Sequence, residues 1–125
     1  MSKIRGKNTA PEKKLFLYMR WAGIRFRRHY DLPGKPDAAM PTSKIAVFVD
    51  GEFWHGRHFD DWEKQLSEFW RNKIRNNIRR DRRNDRLLRK SGWHVLHVWG
   101  RFVVKNPDRV IRRILRYGTA GKPTG

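Results

Sequence analysis

Asp37, Asp50, His55 and Asp81 are the residues of this chain whose types and surroundings could do chemistry. Asp37 follows the turn Pro33-Gly34-Lys35-Pro36, and Asp50 stands at the end of the β-branched run at residues 44–49. If the strands that carry them form a hairpin, both carboxylates arrive at the same end of a sheet. Carboxylates clustered in this way hold Mg²⁺, with waters completing the octahedron. Such an ion activates water and neutralises charge developing on a phosphate. Aspartates beside Pro and Gly are also ordinary turn residues, so spacing alone leaves both readings open. His55 comes just after the same strand, and Asp81 is placed to meet it from a downstream helix. A carboxylate that fixes the imidazole tautomer makes a histidine a general acid or base. The alternative is a surface histidine beside an aromatic cluster. Glu12 stands three residues after Thr9, and a helix-capping box explains it completely. His29, His58, His94 and His97 show no ligand spacing, and His94 and His97 are expected on opposite faces of one strand.

The helix that would carry Asp81 is the most basic part of the chain. Residues 71–90 read RNKIRNNIRRDRRNDRLLRK, ten basic residues against two acidic ones. Such a density of cations asks for phosphates. Ile74, Ile78 and Leu88 recur at helical spacing, and Asp81 lies three residues from Ile78 and seven from Ile74. It therefore falls near the inward-turned side, where a carboxylate suggests a site rather than a surface.

The remaining elements follow from pattern. Thr9-Ala10-Pro11-Glu12 opens a helix that carries Leu15, Met19 and Ala22 on one face and stops at Gly23. Alternation predicts a strand at residues 24–30, then a turn, a short extended piece at 37–40 and a second turn at 41–43. Residues 44–49 are the strongest strand, nearly continuous and so buried on both faces. The basic helix spans 67–91 and ends at Gly92, residues 93–99 form an apolar strand, and Asn106-Pro107-Asp108 starts a last helix through Tyr117. The order α-β-β-β-α-β-α predicts an α/β fold, a mixed β-sheet flanked by helices. Three strands in a meander followed by a helical crossover to a fourth arrange it economically.

The composition agrees with a polyanionic partner. A net charge of +18 and a pI near 11.4 are self-repelling without an anionic ligand. Six Trp, seven Phe and 38% hydrophobic residues argue against a disordered basic tail. The 125 residues suit one core: a basic arm at 1–8, a single domain at 9–117 and a flexible tail at 118–125. No apolar run is long enough for a bilayer and no signal-peptide pattern is present, so no membrane partner is expected. The absence of cysteine excludes disulfides and thiolate metal sites, and is compatible with a reducing cytoplasm. Phe53, Trp54 and Trp70 are aromatics near basic residues, suited to wedging between DNA bases. They are equally the usual filling of a small core. Core packing suits Trp70 taken alone, whereas Phe53 and Trp54 are adjacent and cannot both point inward from an extended backbone.

The ordered motifs P-G-K-P-D, V-F-V-D-G-x-F-W-H, E-F-W-x-x-K-I-x-x-N, R-D-R-R and G-W-x-V-L-x-V-W resemble those of the very-short-patch repair (Vsr) DNA mismatch endonucleases. The likeness covers about residues 7–99. It implies a restriction-endonuclease-like α/β core and a Mg²⁺-dependent enzyme that nicks one strand of duplex DNA at a T:G mismatch left by 5-methylcytosine deamination. By motif, Asp37 would be the central Mg²⁺ ligand with the main-chain carbonyl of Val49. His55 would be the catalytic histidine, Asp81 its partner, and Glu12 would lie at the edge of the site. The set is also similar to the Glu-Asp-x-His-Asp signature of a group of homing endonucleases, with Asp50 at the variable position. Phe53, Trp54 and Trp70 would intercalate beside the mismatch, while Lys73 and Asn77 would read it from the groove. The surrounding arginines would hold phosphates and set position.

The sequence departs from the family pattern at its structural zinc site. The corresponding places hold Glu52, Arg57, Phe59 and Arg101, so no structural zinc is expected. The short N-terminal arm is a second departure, and both bear on sequence preference rather than on the catalytic positions. The resemblance further implies a bacterial, cytoplasmic and nucleoid-associated enzyme with mismatch-repair proteins as partners, and a monomer is expected because nothing in the sequence demands a dimer. Cleavage by metal-bound or His55-activated water would leave a 5′-phosphate and a 3′-hydroxyl. The alternatives are a related nuclease with another DNA target, of homing or anti-phage type, and a non-catalytic module that binds distorted DNA.

Overall fold

The computed structural model describes residues 9–51 and 56–120, with side chains through Tyr117. Helix α1 (Ala10–Trp21) precedes three short strands, β1 (Arg27–Arg28), β2 (Ala38–Met40) and β3 (Ile45–Asp50). A one-turn helix α2 (Phe59–Trp62) and a 3-10 turn (Glu63–Gln65) lead into the long helix α3 (Glu68–Lys90). Strand β4 (His94–Trp99) then passes directly into α4 (Gly100–Lys105), followed by α5 (Pro107–Ala120).

The four strands lie in sequence order. β1, β2 and β3 are antiparallel neighbours, and β4 pairs parallel with β3 from Ile45 opposite His94 to Asp50 opposite Trp99. That parallel pair is the reason a helix must intervene. Alternation sorts the side chains of β3 and β4 between two layers. Ile45, Val47, Leu96 and Val98 pack with Leu15, Phe16 and Met19 of α1 and Val110 and Ile114 of α5. Ala46, Phe48 and Val95 pack on the other face with Leu88 of α3. α3 starts where the sequence says it should, because the Ser67 hydroxyl accepts the Trp70 N–H at the N-cap.

Two local expectations are corrected. Thr9 flanks α1, but its side chain makes no capping hydrogen bond and Glu12 is buried instead. Residues 24–30 do not form one strand. Only Arg27 and Arg28 pair, because His29 turns into the left-handed region at φ 51 and ends the extended run. Its N–H donates to the Asp37 carbonyl at 3.1 Å, which draws the Asp37 end of β2 towards it. α4 is an element that the sequence pattern does not mark, a helical run directly after β4. Val103 is wholly buried, and tertiary burial outweighs a weak β-branched preference against helix. α4 and α1 meet closely: a Cβ on Gly100 would lie 3.3 Å from the Pro11 ring.

Candidate active site

At the C-terminal ends of β3 and β4, β2 starts beside α3 and a cleft of about 290 Å³ opens. Its walls include Asp37, Val49, Asp50, Asp81, Asp85 and His97. Gly34 lets the turn before Asp37 lie flat over this cleft. It sits at φ +81, and a Cβ there would come within 3.1 Å of the Phe48 ring and 3.3 Å of Asn84.

Asp37 lies just ahead of β2, and its Oδ2 accepts the Val49 N–H at 2.6 Å. The carboxylate thus replaces a ladder bond at the point where β2 and β3 part. The N–H and C=O of one strand residue leave on the same side, so the Val49 carbonyl also faces the Asp37 edge. Glu12 reaches the same place from α1, and its Oε1 is 3.8 Å from His29 Nε2. Ligand atoms of Glu12, His29 and Asp37 all fall within 4.8 Å of one another. The His29 Nε2 is buried without a hydrogen-bond partner. Burial, helped by the nearby Glu12 and Asp50, pushes the Asp37 carboxyl up to about 7 against the opposing Val49 amide. A largely buried carboxyl that resists ionisation, with further acidic oxygens beside it, suits a divalent cation.

A second constellation faces α3. His97 Nδ1 lies 2.6 Å from Asp50 Oδ2, and its Nε2 lies 2.8 Å from both Asp85 oxygens. Its ring stacks on Phe48 with centroids 4.8 Å apart. Burial disfavours the imidazolium, but the hydrogen bonds and charges of Asp50, then of Asp85, outweigh it and raise His97 to about 9. A folded-state pKa above the ordinary 6.5 stabilises the fold fully below about pH 6.5, and the stabilisation disappears as pH rises through 9. The melting temperature of the wild type is therefore expected to fall between pH 7 and pH 10 more than that of His97→Gln. Thermal melts in matched buffers measure the difference, and parallel curves would refute it.

The structure brings Glu12, Asp37, Val49 and Asp50 together, with Asp81 across the cleft on α3. Glu52, Phe53, Trp54 and His55 lie outside the described residues, as do the arm at 1–8 and residues 121–125. The flanks of the 52–55 segment are placed: Gly51 follows β3, and a Cβ on Gly56 would meet Ile78, three residues before Asp81, at 2.6 Å. Trp70 is half-buried among the partners of Phe59 and Ile74, while its neighbour Phe69 is two-thirds exposed and meets it edge-on. Lys73 is exposed and Asn77 half-buried. With Arg80 and Asn84 they form one row at helical spacing, whose last two members line the cleft. Arg57 and Phe59, two of the four zinc-pattern departures, are otherwise engaged. The Arg57 guanidinium lies 5.4 Å from the Trp99 ring centre, its carbonyl accepts the Trp62 indole N–H at 2.8 Å, and Phe59 is buried.

Sequence reasoning passed over His29, Asp85 and His97. Two signals for the last pair were present. Asp85 follows Asp81 by four residues on the inward row of α3, and His97 shares the alternating face of β4 with Val95.

The family model for the DNA mismatch endonuclease Vsr matches residues 1–61. The type II nicking enzyme V.HpaIIP of Haemophilus parainfluenzae is 38% identical over 112 residues, covering 84% of this chain and 77% of that protein. The chain belongs to the Vsr family. Within it, the type II nicking enzyme V.NmeDIP of Neisseria meningitidis serogroup C is 43% identical over 113 residues, 85% of this chain and 74% of the relative. The DNA mismatch endonuclease Vsr of Escherichia coli is 37% identical over 102 residues, 79% of this chain and 65% of that protein. As a Vsr family member the chain is a DNA endonuclease, and its mixed sheet with flanking helices is compatible with the restriction-endonuclease-like fold. Among the described residues no helix is long and apolar enough to cross a membrane.

Proposed function

We propose that this endonuclease nicks one strand of duplex DNA at a T:G mismatch, with Mg²⁺ held at Asp37 and the Val49 carbonyl. The observation that carries this reading is the strained carboxylate group at the strand ends. Burial first, and then the neighbouring Glu12 and Asp50, lift Asp37 to about 7, beside the most basic helix of the chain. The donors are oxygen-rich and fit a hard cation, and the orphaned His29 Nε2 beside them marks a place prepared for a further group. When bound, Mg²⁺ would supply a Lewis acid for the scissile phosphate and lower the pKa of a bound water.

The chain's own residues would do the rest. Val49 N–H fixes one Asp37 oxygen, and Glu12 borders the metal pocket from α1. His55 would take the proton of the attacking water, its tautomer held by Asp81. The placement of Gly56 against Ile78 supports that pairing, since the residue that follows His55 in sequence lies beside the turn of α3 that leads to Asp81. Arginines of α3 would hold phosphates, Lys73 and Asn77 would reach base edges along the cleft row, and Phe53, Trp54 and Trp70 would wedge the step open. Wedging favours a mismatch because it costs less to unstack than a paired step.

Strand-resolved cleavage of two duplexes differing only in one T:G versus C:G pair, with and without Mg²⁺, tests the proposal. The T:G strand is expected to be nicked at least about tenfold faster, since about 1.4 kcal/mol of spared unstacking corresponds to that factor. Equal cutting of both duplexes would instead assign another DNA target, and no metal-dependent product would leave a binding module.

A further inference from the structure

We infer that His97 is a positioning residue of the nicking reaction, bridging Asp85 of α3 and Asp50 of β3 so that the Asp50 carboxylate is fixed on the wall of the cleft. This inference rests on the nicking reading of the cleft. Asp50 is one residue beyond Val49, and its charge is felt at Asp37. It ends a strand, so a partner must decide which way its carboxylate turns. His97 supplies that partner. The Nδ1–H donates to Asp50 Oδ2, and the Nε2–H donates to Asp85, which stops the ring from rotating. Phe48 stacks on the ring and Gly34 packs on Phe48, so one face of the imidazole is backed by a side chain that is itself held in place.

The trio stabilises the fold while His97 is protonated, but stability alone does not require polar groups at this place. A paired charge in the interior is often replaced by apolar side chains of similar volume with no loss of stability. The neighbours Ala46, Phe48, Leu88 and Val95 are apolar and would accept such a replacement. The polar groups instead stand where the apolar layer meets the cleft, and all three line it. The chain Asp85–His97–Asp50 also ties the helix that carries the arginines to the strand that carries Val49. Docking of α3 on DNA and the placement of the acidic strand end are thereby joined through one ring. Outer partners that orient the groups of a metal site typically change activity or metal affinity by about 10- to 100-fold when removed.

The test uses the full chain with Mg²⁺ and a T:G duplex, comparing wild type, His97→Leu, His97→Gln, Asp85→Leu and the double variant His97→Leu/Asp85→Leu. Single-turnover nicking is expected to fall about 10- to 100-fold in His97→Leu, with DNA affinity within about twofold. His97→Gln, which retains one N–H donor for Asp50, is expected to recover part of the loss. Because Asp85 acts only through His97, the double variant should nick no more slowly than His97→Leu alone. Proton NMR of the wild type should show two protected downfield imidazole N–H signals, one of them lost in Asp85→Leu. Nicking within about twofold of wild type in both His97 variants would overturn the inference, as would additive losses or a loss wholly in DNA affinity. If His97→Leu does not fold, His97→Gln and Asp85→Leu decide by the same criteria. Asp37→Asn serves as the separate control: normal nicking in that variant defeats the metal reading of the cleft, whereas its silence beside normal His97 variants defeats only the role of His97.

Discussion

Asp37→Asn is expected to reduce nicking by about a thousandfold or more while leaving a folded protein that, above pH 7, is more stable than wild type. If Asp37 holds the proposed Mg²⁺, its removal would forfeit the several kcal/mol of transition-state stabilisation that such an ion would supply, at about 1.4 kcal/mol per decade. The gain in stability follows from the raised pKa. An acid that titrates near 7 in the fold and at 3.8 in the unfolded chain holds its proton more tightly when folded. Its ionisation therefore costs nothing below pH 3.8, costs more as pH rises, and reaches its full penalty above about 7. That penalty is on the order of 2–4 kcal/mol. Asparagine carries no charge and keeps an oxygen for the Val49 N–H. Melts of metal-free protein at pH 4 and pH 8 read the effect: the variant should exceed wild type at pH 8 and match it at pH 4. A variant that nicks normally, or melts lower at pH 8, would remove Asp37 from its assigned place.

DNA affinity is expected to drop about a thousandfold between 50 and 200 mM monovalent salt. The exposed cations of α3 include Lys73, Arg79, Arg80, Arg83, Arg86 and Lys90, a band running the length of the helix away from its buried face. If about six phosphates are neutralised, the logarithm of affinity falls with a slope of about −5 against the logarithm of salt. Fluorescence anisotropy with a labelled duplex gives the slope directly. A slope near −1 would mean that α3 does not lie on the phosphates. Arg75 is set apart from the band because it pairs with Glu63, so Arg75→Ala should alter the slope less than Arg83→Ala.

Periodicity carried the reading of the fold furthest where local and tertiary preferences agree. Ser67 and Gly92 bracket α3, and Ile74 and Leu88 are buried as their spacing requires. The parallel β3–β4 pair follows from the helix between them. The pattern misleads where contacts distant in sequence dominate. Glu12 has the position of a capping residue, yet Asp37 and His29 draw it into the site. Residues 24–30 alternate, but one left-handed residue at His29 ends the pairing. The site divides in the same way. Asp37, Asp50 and Asp81 stand out because acids are rare and oddly placed in so basic a chain. His97 does not, since a histidine in an apolar strand is unremarkable until Asp50 and Asp85 are found on either side of it.

The inward row of α3 runs Ile74, Ile78, Asp81, Asp85, Leu88, so the seam that should weld helix to sheet is broken by two acids halfway along. A chain selected for durability alone would fill that gap with leucine, and the result would be a sturdier protein with a disarmed blade. The interruption therefore sets an upper limit on how far this scaffold can be hardened by consensus or by design before its purpose is lost.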